Sequence, residues 1–213
     1  MPLEVERKYL NVDFELLRRS LQEQGAESAG AHFESNLIFD TAAGQLRANR
    51  RLLRLRTREW PGRTRHLLTL KLPVPHSEHF KVREEHELEI ADKTAMQGLL
   101  EGMGYGVAAR YEKIREPWRL EDVEVELDIL PFAKVVEMEG PAERIASVQQ
   151  RLGLDNAQIS IKTYHQLHQD WRLRHSLPPA LSFVFGKEQN QLWRQRLGLT
   201  YNAAPQPGEE PLP

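Results

Sequence analysis

Acidic and basic residues spaced by two recur along this chain, and residues so spaced share one face wherever the segment is a strand. Glu4, Glu6 and Lys8 alternate with Val5 and Tyr9, Arg54 and Arg56 with Leu53 and Leu55, and Thr69 and Lys71 with Leu68, Leu70 and Leu72. Farther on, Arg83, Glu85, Glu87 and Glu89 oppose Val82, Leu88 and Ile90, and Lys113 and Arg115 oppose Ile114. Glu124, Glu126 and Asp128 oppose Val123, Val125 and Leu127, and Glu137 and Glu139 oppose Val136 and Met138. A solvated sheet face accounts for alternation in general. It does not account for like charges repeated at the closest same-face spacing, which destabilise a sheet unless something of opposite sign lies between them. If the sheet curls shut with helices outside, the charged face becomes a lumen. Arginine forks and lysine ammonium groups there would surround phosphoryl oxygens. Paired carboxylates would hold a divalent cation shared with those phosphates.

The elements that must position these residues follow from period and punctuation. Strands are predicted over Glu4 to Leu10, Asn36 to Asp40, Leu52 to Arg56, His66 to Leu72 (stopped by Pro73 and Pro75), Phe80 to Ile90, Tyr111 to Arg115, Val123 to Leu130 and Val135 to Glu139. Pro117 with Glu121-Asp122 makes the turn between two of them. A helix capped by Asp13 closes at Gly25, a second spans Asp92 to Met103, and a third runs from Pro141, at its first position, to Leu152. Further helices are predicted over Tyr164 to His175 and Gly186 to Leu197. The total is about eight strands and four or five helices, an α+β chain in which long antiparallel stretches dominate.

With 213 residues, 28% charged and 40% hydrophobic, the chain can bury a full core as one domain with tails. The absence of cysteine excludes disulfides, thiolate metal sites and a thiol nucleophile. No apolar run approaches a membrane span, and acids interrupt the N-terminal MPLEVERKYL where a signal peptide needs apolar residues, so a cytoplasmic protein without a membrane partner is expected. A net charge of −2 gives no global attraction to nucleic acid.

Taken in order, Glu4-Val5-Glu6-Arg7-Lys8, Phe39-Asp40-Thr41, Leu53-Arg54-Leu55-Arg56, Leu70-Lys71, Arg83-Glu84-Glu85-His86-Glu87, Lys113-Ile114-Arg115, Leu127-Asp128, Val136-Glu137-Met138-Glu139 and Lys162-Thr163-Tyr164 resemble the motif series of the CYTH domain, the triphosphate tunnel metalloenzymes. Thr163 departs from the serine that the family often has there. The resemblance implies an eight-stranded antiparallel barrel with helices packed outside, a tunnel domain over 1–175; beyond it, with no family equivalent, a C-terminal helical extension is expected at 176–200 and, from its proline content, a disordered tail at 201–213. It implies Mg²⁺ or Mn²⁺ held by Glu4, Glu6, Asp128, Glu137 and Glu139, with Glu85 and Glu87 as auxiliary acids. Lys8, Arg54, Arg56, Lys71, Arg83, Lys113, Arg115 and Lys162 become the phosphate-binding set. Lys71 and Lys113 become the catalytic lysines, Lys71 as a general base whose pKa neighbouring cations would lower. The implied activity is that of a class IV adenylyl cyclase, converting ATP to cyclic AMP and pyrophosphate. A triphosphatase acting on inorganic or organic triphosphates in the same tunnel is the alternative, and a non-catalytic polyphosphate or nucleotide binder is a third. A homodimer would have to use the outer helices or the extension, because a closed barrel has no free edge.

Other signals have plainer readings. The eight arginines between Arg47 and Arg65 are mostly a solvated rim beyond Arg54 and Arg56. His165 and His168 lack a third ligand at zinc spacing and are taken as solvated helix residues. Trp60 beside Pro61-Gly62 is a turn residue, and no serine-hydrolase, P-loop or zinc-protease motif occurs.

Overall fold

Alternating strands with one aliphatic side have to hide that side, and here they do so beneath helices. A computed structural model describes residues 3–74 and 80–200. Its elements are β1 (Leu3–Leu10), α1 (Phe14–Glu23), β2 (Glu27–Ser28), β3 (His32–Asp40), α2 (Gln45–Ala48), β4 (Leu52–Trp60), β5 (Arg63–Pro73), β6 (Lys81–Ile90), α3 (Lys93–Gly102), β7 (Gly106–Leu120), β8 (Val123–Ile129), β9 (Lys134–Glu139), α4 (Ala142–Arg151), β10 (Gln158–Ser160), α5 (Tyr164–Arg174) and α6 (Lys187–Arg196). Pro75 and the tail at 201–213 lie outside the described residues.

Eight strands run in the order β1-β6-β5-β4-β3-β7-β8-β9, all antiparallel, and β9 pairs back with β1 to close the barrel. The closing register sets Glu6 opposite Glu139 and Lys8 opposite Glu137. Because period two is kept around the ring, every charged face points to the same lumen: Glu4 pairs with Arg83, Glu85 with Lys71, Glu34 with Lys113, and Asp128 with Arg115. The aliphatic faces point outward into the cores. Tyr9, Val125, Leu127, Val136 and Met138 pack with Phe14, Leu17 and Leu21 of α1 and Ile145 and Val148 of α4. Phe39, Leu53 and Leu55 pack with Leu100 of α3.

Several strands are longer than their patterns suggest. β7 runs straight through Pro117, and the turn falls only at Glu121-Asp122. Pro117 lies where β7 passes from β3, its partner up to Arg115, to β2, its partner from Trp118. The Pro117 carbonyl accepts from Ala29 N at 3.0 Å, and the missing N–H interrupts neither ladder. Pro141 sits at the N-cap of α4, one place earlier than predicted. Asp40 of the F-D-T turn is structural: its carboxylate accepts from the backbone N–H of Thr41, Leu46 and Arg47 at 2.8, 2.8 and 3.0 Å, fixing α2.

The stretch at 176–200 is woven into the barrel wall. β8 begins pairing with β7 only at Ile114, which leaves the edge of β7 open at Arg110 to Glu112. Phe183 fills that edge, donating to Arg110 O at 3.0 Å and accepting from Glu112 N at 3.1 Å. Phe185 packs beside Phe33 and Ile114, with Trp193 and Leu197 against them. No helix among the described residues is long and apolar enough to cross a membrane.

Candidate active site

The lumen holds a cavity of about 360 Å³. Glu4, Glu6, Lys8, Arg54, Arg56, Lys71, Arg83, Glu85, Glu87, Lys113, Arg115, Glu137 and Glu139 line it, as expected from the alternation. Asp128, fully buried, joins the same network through Arg115 and Lys113.

On the β8–β9 side, acids surround one arginine. Arg115 donates to Asp128 through Nε at 2.8 Å and Nη2 at 2.6 Å, to Glu137 through Nη2 at 2.8 Å, and to Glu126 through Nη1. Lys8, 2% exposed, lies 2.6 Å from Glu137 and 2.5 Å from Glu6, and Lys113 lies 3.1 Å from Asp128. Burial works against a charge on Lys8, but Glu137 and Glu6 outweigh it and hold the ammonium above its ordinary pKa. One carboxylate oxygen each from Glu126, Asp128 and Glu137 lies within 4.8 Å of the others. Burial, with Asp128 and Glu137 nearby, pushes the Glu126 carboxyl up to about 8 although Arg115 opposes it. With Glu124 and Glu139 on the same two strands, the acids of this corner outnumber Arg115, Lys8 and Lys113. Three hard carboxylate donors suit Mg²⁺ or Mn²⁺, and a dication would supply the missing charge, so the residues fit such an ion.

On the β3–β4 side the pattern reverses, and bases surround one acid. Glu34, 0% exposed, lies 3.0 Å from Arg58 and 3.4 Å from both Arg56 and Lys113, and 3.0 Å from the His32 ring. Burial would raise the Glu34 pKa, yet Arg56 and Lys113 bring it well below the usual carboxylate range. Arg54 reaches Thr69 at 3.1 Å and the Tyr111 hydroxyl at 3.3 Å. Burial would raise the Tyr111 phenol, but Arg54, Arg56 and Lys113 bring it down to about 8.

Along β5, β6 and β1 the two signs alternate. Lys71 lies 2.5 and 2.7 Å from the oxygens of Glu4 and 2.9 Å from Glu85, and Lys81 contacts Glu6. The lowered Lys71 pKa expected from neighbouring cations is not what the structure shows. Burial and Arg54 do lower it, but Glu4 and Glu85 more than compensate and the net shift is upward. Glu139, facing Glu6 and Glu124 across the ladders, is pushed up to about 7 by burial and by Glu4.

Lys162 is the expected phosphate ligand that the structure does not bring to the lumen. It lies between β10 and α5, 52% exposed, with its ammonium 2.6 Å from Asp170. The histidines of α5 are also not solvated: His168 is fully buried, and His165 lines the cavity. Burial pushes both imidazoles down to about 4. Arg58 is a lumen residue and not a rim arginine, and Trp60 ends β4 with its ring 4.5 Å from that of His32.

Sequence reasoning missed Glu34, Asn36, Arg58, Lys81, Tyr111 and Tyr164, and it left Glu126 out of the metal set, in which the structure groups only Asp128 and Glu137 of the expected five with it. Asn36, buried, accepts from Arg56 Nε at 2.9 Å. Extending the period of two back to His32 and forward to Arg58 would have found three of them.

The sequence of residues 2–158 matches the CYTH domain. The chain belongs to the CYTH domain family. Solved structures share the fold of this CYTH protein. A candidate adenylate cyclase from Vibrio parahaemolyticus is 22% identical with a TM-score of 0.65, over 78% of this chain and 97% of that one. A Pyrococcus horikoshii protein is 21% identical with a TM-score of 0.67, over 78% and 98%. A Hippeastrum candidate adenylyl cyclase with a dominant triphosphatase activity is 20% identical with a TM-score of 0.58, over 85% and 99%. Among curated proteins, none matches the CYTH chain.

Proposed function

We propose that this CYTH protein is a metal-dependent enzyme that cleaves a phosphoanhydride bond of a triphosphate lying in the lumen. The observation that carries this reading is the sorting of charge: carboxylates collect at β8–β9 and guanidinium groups at β3–β4, within one cavity. Glu126, Asp128 and Glu137 would hold Mg²⁺ or Mn²⁺, which when bound supplies Lewis-acid stabilisation of charge on the transferring phosphoryl group.

Arg54, Arg56, Arg58 and Lys113 provide the donors for the phosphoryl oxygens. Lys71, kept protonated by Glu4 and Glu85, contributes positive charge to the phosphates instead of accepting a proton. The buried Arg–carboxylate pairs have already lost most of their hydration, so phosphate oxygens can replace carboxylate oxygens without a fresh desolvation of the arginines.

Hydrolysis requires only water beside the triphosphate, and most side chains lining the cavity are charged, which suits the phosphates more than a nucleoside. Adenylyl cyclisation is the second reading. It is favoured by Tyr111 and His165, which line the same cavity with ring centroids 5.5 Å apart and offer aromatic surface to a base. Incubation with tripolyphosphate or ATP and Mg²⁺ or Mn²⁺, followed by product chromatography, tests both. Orthophosphate without cyclic AMP is the expected result. Cyclic AMP with pyrophosphate would make the protein a cyclase, and no product from either substrate would leave a binding protein.

A further inference from the structure

Tyr164 enters the lumen on the first turn of α5, and the helix is built to put it there. Thr163 caps the helix in a reciprocal box with Gln166, accepting from Gln166 N at 3.2 Å while Gln166 Oε1 accepts from Thr163 N at 2.8 Å. The buried residues Leu167 and His168 hold α5 down: Leu167 packs with Leu130 and Val135, and the His168 ring lies 5.0 Å from those of both Phe132 and Phe183. Anchored in this way, the Tyr164 hydroxyl meets Asp128 Oδ2 and, at 2.8 Å, Glu137 Oε2. Those are the same two oxygens that Arg115 Nη2 binds at 2.6 and 2.8 Å. The tyrosine ring lies 5.1 Å from Lys8 Nζ and 5.3 Å from Lys113 Nζ.

Two carboxylates from adjacent strands repel one another and, left alone, would turn apart. Here a guanidinium and a phenol hold the same oxygen pair. Arg115 is a charged donor that incoming phosphate can draw away, whereas Tyr164 is neutral, belongs to a separate helix and has no attraction for phosphate of comparable strength. We propose that Tyr164 is a positioning residue for the acidic triad, bridging Asp128 and Glu137 so that their oxygens stay together for a divalent cation. The assignment rests on the reading of Glu126, Asp128 and Glu137 as a cation site. It gives α5 a task of its own, since a hydrogen bond behind a metal ligand commonly sets ligand orientation and affinity.

The test is a titration of the full chain with Mn²⁺ alone, followed by the electron paramagnetic resonance signal of free Mn²⁺, for wild type and Tyr164→Phe. The phenylalanine keeps the ring over Lys8 and Lys113 and removes only the hydroxyl. Mn²⁺ affinity should fall by about tenfold to a hundredfold, while tripolyphosphate binding without metal stays near wild type and the melting temperature falls only by the loss of one hydrogen bond to buried carboxylates. A purely structural tyrosine would lower the melting temperature further and weaken both ligands together, which would overturn the proposal. So would a Mn²⁺ Kd within twofold of wild type. Should the wild type itself bind no Mn²⁺, the cation-site reading falls and the proposal with it, a result distinct from equal binding by both proteins. A measurement that needs no variant is the tyrosine ring NMR spectrum of the wild type: the Tyr164 resonance should shift on saturation with Mg²⁺, and an unmoved resonance would overturn the proposal.

Discussion

The two sides of the lumen are electrostatic opposites built from the same motif. At β8–β9, three carboxylates crowd around Arg115, and at β3–β4, three cations crowd around Glu34. On the first side burial, with Asp128 and Glu137 nearby, pushes Glu126 up to about 8, while Lys8 and Arg115 overcome burial to hold Glu137 well below the usual carboxylate range; on the second, Arg54, Arg56 and Lys113 overcome burial to bring Tyr111 down to about 8. Each minority charge keeps its neighbours folded in while no ligand is bound, and each leaves its side with an excess of one sign. A cation drawn to the first side and an anion drawn to the second would relieve both excesses at once. The site is therefore suited to a metal–triphosphate pair more than to either ion alone.

The largest expected effect comes from removing the acid at the centre of the basic side. Glu34→Ala strands Arg56, Arg58 and Lys113 as buried cations and should cost about 3–5 kcal/mol in urea unfolding. Tripolyphosphate should restore part of that loss by substituting for the carboxylate. A cost below about 1 kcal/mol, within the ordinary range for a point mutation, would mean that the basic side does not depend on Glu34.

Next in size is the titration of Tyr111. Its folded-state pKa lies below the free phenol value, so the linked stability is fully present above about pH 10 and is lost as pH falls through about 8. Ultraviolet titration should show one phenol ionising near pH 8 in wild type and none there in Tyr111→Phe. Bound tripolyphosphate should raise that midpoint by screening Arg54 and Arg56, and a midpoint indifferent to the anion would place Tyr111 away from the bound phosphates.

The smallest effect is expected at Lys162. Its pair with Asp170 is half exposed, so Lys162→Ala should change stability by no more than about 0.5 kcal/mol and leave tripolyphosphate affinity unchanged. A tenfold loss of affinity would return Lys162 to the phosphate-binding set.

The lumen was legible in the sequence because strand alternation is a local rule that the barrel preserves around its whole circumference. Glu4, Arg54, Lys71, Glu85, Arg115 and Glu137 all line the cavity for that reason alone. Glu34 was lost because β3 starts at His32, four residues before the apolar run at Asn36 that marked the strand. Two other kinds of information were not local. Which acids lie near which bases depends on cross-strand register, and so Lys71 appeared to be surrounded by cations when its nearest neighbours are Glu4 and Glu85. The position of a helix end in space is likewise not a matter of periodicity: α5 carries Tyr164 into the lumen while Lys162, two residues earlier, turns outward to Asp170.

The pairing of β1 with β9 and β10 also bears on how the chain folds. Glu6 meets Glu139 and Lys8 meets Ser160, contacts between the opening residues and residues well past the middle of the chain. Contacts so distant in sequence incur the entropy of closing a long loop before any packing rewards them, and topologies rich in them fold slowly. Until that seam shuts, the ion pairs of the lumen are open to water and can exchange partners at little cost. Once it shuts, they are desolvated together, and the segment Glu4 to Lys8 that supplies part of the charge also acts as the latch of the barrel.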